Sequence, residues 1–414
     1  MKDIVIIGGG TAGWLTALYM KKRYKEYRIT LVESTKLGIL GAGEGGTPNL
    51  RGMLLGEFGF DEAEFLSEVN GTKKYGILFD KWNIDPTHSF VHGFGLDALE
   101  DPTEYSYHFD ARLFAKFLQK KGMEFGVHHL DKEAQVFLKT GSQISTIICE
   151  DGSEIPVDFL IDCSGFRRLV IGEVYKSSWK SYEDHLKVNT AIPFFINKPN
   201  QDLYQRTIAE AANYGWVWKI PLQNRWGCGY IYDSSLVDED EIKEEILKLH
   251  PSEDIQFNKK ISFNAGCYEK VWIENCIAIG LSGGFLEPLE ATSIMTTIFQ
   301  LKFLPDDLFD YSKREVYNHL TERINFQNMS FIRHHYNCSR EDTTFWKEYR
   351  TRKLPTELED IYSEMKQPVG AKTPLSSIFK LEKSIMKDYG ISFGMTQYKH
   401  VQVHNFMKKQ KTLI

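Results

Sequence analysis

Three glycines at the spacing Gly8-x-Gly10-x-x-Gly13, followed by an acid at Glu33, are the residues that speak first to chemistry. Glycines at this spacing allow a tight turn, a close backbone approach to a pyrophosphate and close packing of helix on sheet. The helix that starts there offers its free N–H groups to an anion. Glu33 falls twenty residues after Gly13, where a carboxylate can hold a ribose diol and would repel a 2′-phosphate. The chemistry implied is dinucleotide binding.

The elements that must position these residues form one unit. An apolar run (Asp3 to Gly8), the glycine turn, a helix to about Tyr24 and a second apolar run (Ile29 to Glu33) predict a βαβ unit and a parallel sheet. Ile4 to Met20 carries no charge over seventeen residues, but it breaks at Gly8-Gly9-Gly10 and runs straight into Lys21-Lys22-Arg23. With no small-residue cleavage pattern either, it is read as a buried strand, turn and helix, not a membrane span or signal peptide. Asp110 to Gly122 predicts a helix with Leu113, Phe114, Phe117 and Leu118 on one face and a glycine stop. Two strand-like runs around the Asp151-Gly152 hairpin signal lead into the segment Asp158 to Gly165. Residues 187 to 265 alternate like strands, and after Glu290 the pattern turns helical.

Composition bounds the rest. The 414 residues, 42% of them hydrophobic, suffice for two or three units with a large core. A net charge of −6 lacks the basic excess that binding to nucleic acid needs. Cys149, Cys163, Cys228, Cys267, Cys276 and Cys338 form no C-x-x-C pair, so neither a metal site nor a disulfide framework is expected, and a cytoplasmic location is. No partner membrane or nucleic acid is expected, and homo-oligomerisation stays open.

The strand that ends in Asp162-x-x-Gly165 resembles the second glycine-bearing strand of FAD-dependent monooxygenases, and the segment around Gly280 repeats strand, glycine loop and helix start. Both favour FAD over NAD, with backbone N–H groups near Gly280 meeting the flavin. Six ordered motifs then go beyond a generic flavoprotein: GGGTAGW (Gly8 to Trp14), GAGEGGTP (Gly41 to Pro48), IDCSGFRRL (Ile161 to Leu169), WVWKIP (Trp216 to Pro221), GFLEPLEATSI (Gly284 to Ile294) and HYNCSREDTTFW (His335 to Trp346). Together they resemble the flavin-dependent halogenases of the tryptophan-halogenase type, from residue 1 to about 350.

The resemblance implies an α/β fold: a Rossmann-like FAD/NAD(P)-binding fold of the GR2-type flavin monooxygenases, with a mixed β substrate domain and a helical C-terminal part. The expected division is 1–84, 105–186 and 266–300 for FAD, 85–104 and 187–265 for substrate, and 301–414 as a helical region over the substrate site. It implies FAD used as FADH2, O2, a halide, a small aromatic substrate and a separate NAD(P)H-dependent flavin reductase. Cofactor contacts are expected at Gly8, Gly10, Thr11, Ala12, Gly13, Glu33, Gly43, Glu44, Asp162, Gly165, Gly280 and Leu286.

In such enzymes hypohalous acid made at the flavin travels an internal tunnel to the ring. Lys74 matches the family's catalytic lysine and Glu290 its glutamate. A cationic donor polarises the acid, and a carboxylate stabilises the cationic ring and takes its proton. Trp216 and Trp218 match the residues between flavin and substrate, His92 and Phe94 the pair that stacks on the ring, and Thr292 and Ser293 the halide site.

Three departures matter. Ala291 replaces a serine, Gly45 and Gly46 stand in a loop that is usually less glycine-rich and so should be more flexible, and the chain is about a hundred residues shorter than the tryptophan enzymes. The shorter cover suggests a wider site for free indoles or phenols, with bromide or iodide competing well against chloride. An FAD-dependent aromatic monooxygenase and a flavin-binding protein that has lost its activity remain alternatives at this stage.

Overall fold

The computed structural model describes residues 1–38, 44–85, 87, 89–95, 102–199, 204–356 and 358–359. The first βαβ unit forms as its sequence demands, with β1 (Asp3–Ile7), α1 (Thr11–Arg23) and β2 (Arg28–Glu33). Ile4 to Ile7 are all buried, because a parallel strand covered on both faces needs a continuous apolar run, not an alternating one. The six-stranded sheet runs Trp272–Ile273, Cys276–Ala278, Phe159–Asp162, β1, β2, His128–Asp131, and all but the first of these strands are parallel. The neighbours of β1 connect to it from opposite sides, which opens a crevice at the carboxyl end of β1.

The second large sheet is mainly antiparallel, in the order Ile255–Phe257, Thr190–Ile196, Trp226–Tyr232, Gly215–Pro221, Thr207–Ala211, Gly76–Asp80, Phe90–Gly93. Gly76–Asp80 pairs with both Thr207–Ala211 and Phe90–Gly93, so this part of the expected FAD segment 1–84 belongs to the second large sheet. A small sheet of Glu44–Gly45, Ser106–Phe109 and Thr72–Lys74 joins the two halves. It is tied to the large sheet where Thr72 Oγ1 donates to the Pro221 carbonyl at 2.7 Å and His108 Nε2 lies 3.0 Å from Thr207 Oγ1.

Two glycines do something other than expected. The helix Ala111–Glu124 is capped by Asp110, whose Oδ1 accepts from the N–H groups of Arg112 and Leu113. It passes straight through Gly122, where a Cβ would stand 2.7 Å from the Trp14 ring, so this glycine permits close packing on α1 and does not stop the helix. Gly46 likewise serves contact and not flexibility, since a Cβ there would meet Leu50 at 2.6 Å and Ser106 at 2.8 Å.

Of the C-terminal region, the helices Arg314–His335 and Thr344–Thr351 are described. Trp346, Tyr336 and Tyr349 pack into the core beside the second large sheet, and Trp346 Nε1 donates to the Ala212 carbonyl at 2.9 Å. All six cysteines are buried and none is in a disulfide. Among the described residues, no helix is long and apolar enough to cross a membrane.

Candidate active site

A cavity of about 450 Å³ lies at the carboxyl end of β1, lined by Gly8, Gly10, Thr11, Ala12, Glu33, Gly165 and Gly280 among others. It suits a dinucleotide. A Cβ at Gly13 would sit 1.8 Å from the Gly8 carbonyl oxygen, so glycine there lets α1 press against the turn that would receive the pyrophosphate. At Gly10 a Cβ would meet nothing within 4 Å, which leaves that backbone open to a ligand. Glu33 lies between His129, whose Nε2 is 3.0 Å from Oε1, and the glycine loop, and burial pushes its carboxyl above the ordinary value.

Three expected cofactor residues, Asp162, Leu286 and Glu44, lie elsewhere. Asp162 does not line this cavity: its carboxylate accepts from the N–H groups of Ser164, Val170 and Ile171 and from Ser164 Oγ, which fixes the turn that carries Gly165. Leu286 is buried in the core against the second large sheet, and Glu44 lines a second cavity described below. Gly43 lies outside the described residues. Gly280 lines the cavity, but its N–H donates to Gln300 Oε1 at 2.9 Å and so is not free for a flavin.

The second cavity, about 190 Å³, is lined by Glu44, Lys74, Thr207, Trp216, Trp218, Glu290 and Ser293 among others. Phe285, Ser293 and Ile294 line both cavities, so the two share a wall. Strand pleat delivers the lysine. Lys74 lies beside Gly45, where a Cβ would stand 3.2 Å from Nζ. Lys74 is 1% exposed, and among the described residues its ammonium makes no hydrogen bond or ion pair. Burial lowers its pKa to about 8, against the pull of the Glu290 charge. The Phe94 ring centroid is 5.5 Å from Nζ.

Glu290 enters from a turn in which it and Ala291 both take the left-handed conformation, with φ of 64° and 54°, immediately before the helix Thr292–Lys302. This strain at a residue facing a cavity is of the kind stored at functional sites. Its Oε1 accepts from His92 Nδ1 at 2.7 Å and lies 3.0 Å from His335 Nε2. Burial alone would raise its pKa, but the two histidines hold the carboxyl far below the usual range. His92, expected against a substrate ring, thus directs its ring edge at Glu290. Thr292 is buried without lining either cavity, whereas Ser293 lines both.

The decisive comparison is with known proteins. The profile of the family described as Tryptophan halogenase matches residues 3–101 and 96–405. The chain belongs to the tryptophan halogenase family. It is a flavin-dependent halogenase, a family that implies FAD and a halide, an aromatic substrate and a separate flavin reductase. The tryptophan 7-halogenase RebH of Lentzea aerocolonigenes is 31% identical to this halogenase over 415 residues, which cover 83% of this chain and 78% of RebH. The tryptophan 6-halogenase ThaL of Streptomyces albogriseolus is 29% identical, covering 87% and 81%. Among solved structures, Xcc4156, a flavin-dependent halogenase from Xanthomonas campestris, superposes with a TM-score of 0.80 at 26% identity and covers all of this chain and 95% of its own. The Rossmann-like FAD-binding fold is that of these neighbours.

Three residues of the halogenase's site had no role assigned by sequence. His335 opens the motif HYNCSREDTTFW and ends a long helix, one turn after the buried Phe331, which is the signal that marks it. Glu287 is fully buried, with Oε1 accepting from Tyr336 at 2.8 Å and from Trp216 Nε1 at 3.3 Å, and burial raises its pKa to about 8. His108, beside Lys74, is held neutral by burial and by the lysine charge. Of the 301–414 region, no described residue lines the smaller cavity; the contribution seen is His335, and residues 357 and 360–414 lie outside the description.

Proposed function

We propose that this halogenase uses FADH2, O2 and halide to halogenate free electron-rich aromatic molecules such as indoles or phenols. The observation that carries this reading is that Lys74 and Glu290, remote in sequence, meet in one buried cavity that shares a wall with the dinucleotide cavity. When bound, reduced FAD with O2 supplies the oxidation of halide to hypohalous acid.

The chain's own residues do the rest. The loop from Gly8 to Gly13, with Thr11, Ala12, Gly165 and Gly280, holds the dinucleotide, and Glu33 takes its ribose. Ser293, with Thr292 beside it at the helix start, holds the halide where free N–H groups favour an anion. Phe285, Ser293 and Ile294 form the passage between cavities. Lys74 Nζ donates to the oxidant and polarises it, and a dry cavity strengthens that bond. Trp216 and Trp218, with ring centroids 6.2 Å apart, line the smaller cavity and offer it an aromatic wall for the substrate ring. Glu290 stabilises the cationic ring and takes its proton, leaving the ring aromatic. The missing hydroxyl at Ala291 leaves a less polar halide site, which favours bromide over chloride.

The test is mass spectrometry of an indole and phenol panel with FAD, an NADH-driven flavin reductase and equal chloride, bromide and iodide. Halogenated free indoles or phenols, bromide leading, are expected. Products that gain only oxygen would establish the monooxygenase instead. A strict micromolar preference for free tryptophan would overturn the permissive site.

A further inference from the structure

Two buried carboxylates three residues apart hold opposite charge states, and the difference lies in their partners. Among the described residues Glu287 meets only neutral donors, the Trp216 indole and the Tyr336 hydroxyl, and burial drives it toward the protonated form. Glu290 is also buried but meets two histidines on a single oxygen.

The proton count around that oxygen is constrained. His335 Nδ1 lies 2.8 Å from the Phe331 carbonyl, which only accepts, so Nδ1 carries a hydrogen. Its Nε2 then faces Glu290 Oε1 at 3.0 Å, and a hydrogen bond there needs one further proton. His92 already satisfies its contact as a neutral ring with hydrogen on Nδ1; among the described residues its buried Nε2 has no partner, so a charged His92 would leave an unpaired buried N–H there. The extra proton therefore belongs to the contact between His335 and Glu290. Both ring nitrogens lie within hydrogen-bond reach of that one oxygen, His92 Nδ1 at 2.7 Å and His335 Nε2 at 3.0 Å.

We infer that His335 is the positioning residue for Glu290: as an imidazolium it keeps Glu290 ionised, and hence able to accept the ring proton, in a site whose burial would otherwise protonate it. This rests on the halogenation reading above. In that step the ring C–H bond breaks, its electron pair returns to the ring, and the proton ends on the Glu290 carboxyl while His335 stays charged. The groups that face this pair are His92 from the strand Phe90–Gly93, Lys74 from the strand Thr72–Lys74, and Arg333 and His334 from the helix that carries His335. Burial, then the charges of His335 and Arg333, keep His334 neutral, so it cannot substitute. Phe79 stacks on His335 at 4.9 Å and fixes its ring plane.

The experiment compares His335→Phe and His335→Gln with the wild type, by pH profile and by infrared difference spectroscopy. In H335F the acid limb of kcat for bromination should move up by at least one pH unit, which is about tenfold at a fixed pH on that limb, with KM little changed. H335Q keeps a donor without charge and should fall between. Independently of turnover, H335F at pH 7 should show a carboxylic-acid carbonyl band absent from the wild type and from the double variant H335F/E290Q. An unmoved acid limb with no new band would overturn the inference; H335Q supplies the same two readouts if the larger ring disturbs folding. The band appearing in a protein whose wild type halogenates nothing would sustain the inference about Glu290 and sink the functional reading.

Discussion

Lys73 and Lys74 are neighbours in sequence that point to opposite faces of one strand. Lys73 lies 3.5 Å from Glu62 and 4.2 Å from the centre of the Tyr105 ring, while Lys74 faces the smaller cavity and, among the described residues, forms no ion pair. The alternation of a strand decides this, since consecutive side chains leave the pleat in opposite directions. Lys74→Ala should therefore abolish ring halogenation, by at least a thousandfold in kcat, while Lys73→Ala should stay within about threefold of wild type, as expected for loss of a surface ion pair. Steady-state rates of both variants, with FAD binding measured alongside, check the contrast.

The charge on Lys74 gives a pH signature. Burial brings its pKa to about 8, and a polarising donor must be protonated. The rate should fall as pH rises through about 8, with a slope of one decade per pH unit. A rate that instead climbs through that range would mean that the neutral amine is the reactive form. The profile of kcat/KM with bromide measures it directly.

Gly10 and Gly13 should fail differently. Alanine at Gly13 would press on the Gly8 carbonyl at 1.8 Å, a backbone contact that cannot yield cheaply, so Gly13→Ala should destabilise the protein by roughly 1–3 kcal/mol. Alanine at Gly10 meets no protein atom within 4 Å but enters the space beside the cavity, so Gly10→Ala should keep its melting temperature and lose FAD affinity by tenfold or more. Thermal unfolding and flavin fluorescence titration separate the two.

Much of this site was legible because short-range rules fix it. The strand, turn, helix and acid of the first 33 residues form as read, since periodicity and glycine spacing are local. The pairing of Lys74 with Glu290 required the resemblance, because no local rule brings residues so far apart into one cavity. Membership of Gly76–Asp80 in the second large sheet was not legible at all: its pairing with Thr207–Ala211 is parallel and long-range. Asp162 was read as a ligand residue because its motif is, but four donors of its own turn consume its carboxylate. Glu287 and Glu290 look alike in sequence, and only their partners set them apart.

Glu287 makes its own prediction. Its carboxyl binds a proton more tightly in the folded state, about 8 against an ordinary 4.5, so the folded protein takes up a proton that the unfolded chain has lost between those values. Stability from this group is full below about pH 4.5 and declines as pH rises toward 8. Glu287→Gln keeps the neutral shape and removes that decline. Its melting temperature relative to wild type should rise steadily from pH 5 to 8, by several degrees, while Glu287→Ala should be destabilised at every pH by loss of the contacts to Trp216 and Tyr336. Calorimetry across pH checks both.

The central claim is that oxidant made at the dinucleotide cavity is handed to Lys74 and used beside Glu290. The most direct test runs wild type and Lys74→Ala side by side with reduced flavin, O2, bromide and an indole, measuring brominated indole by mass spectrometry and escaped oxidant with a hypobromite trap. The account predicts brominated indole from the wild type, none without bromide, and in Lys74→Ala loss of that product with a rise in trapped oxidant. Equal product from both proteins, or oxidant from neither, would contradict it.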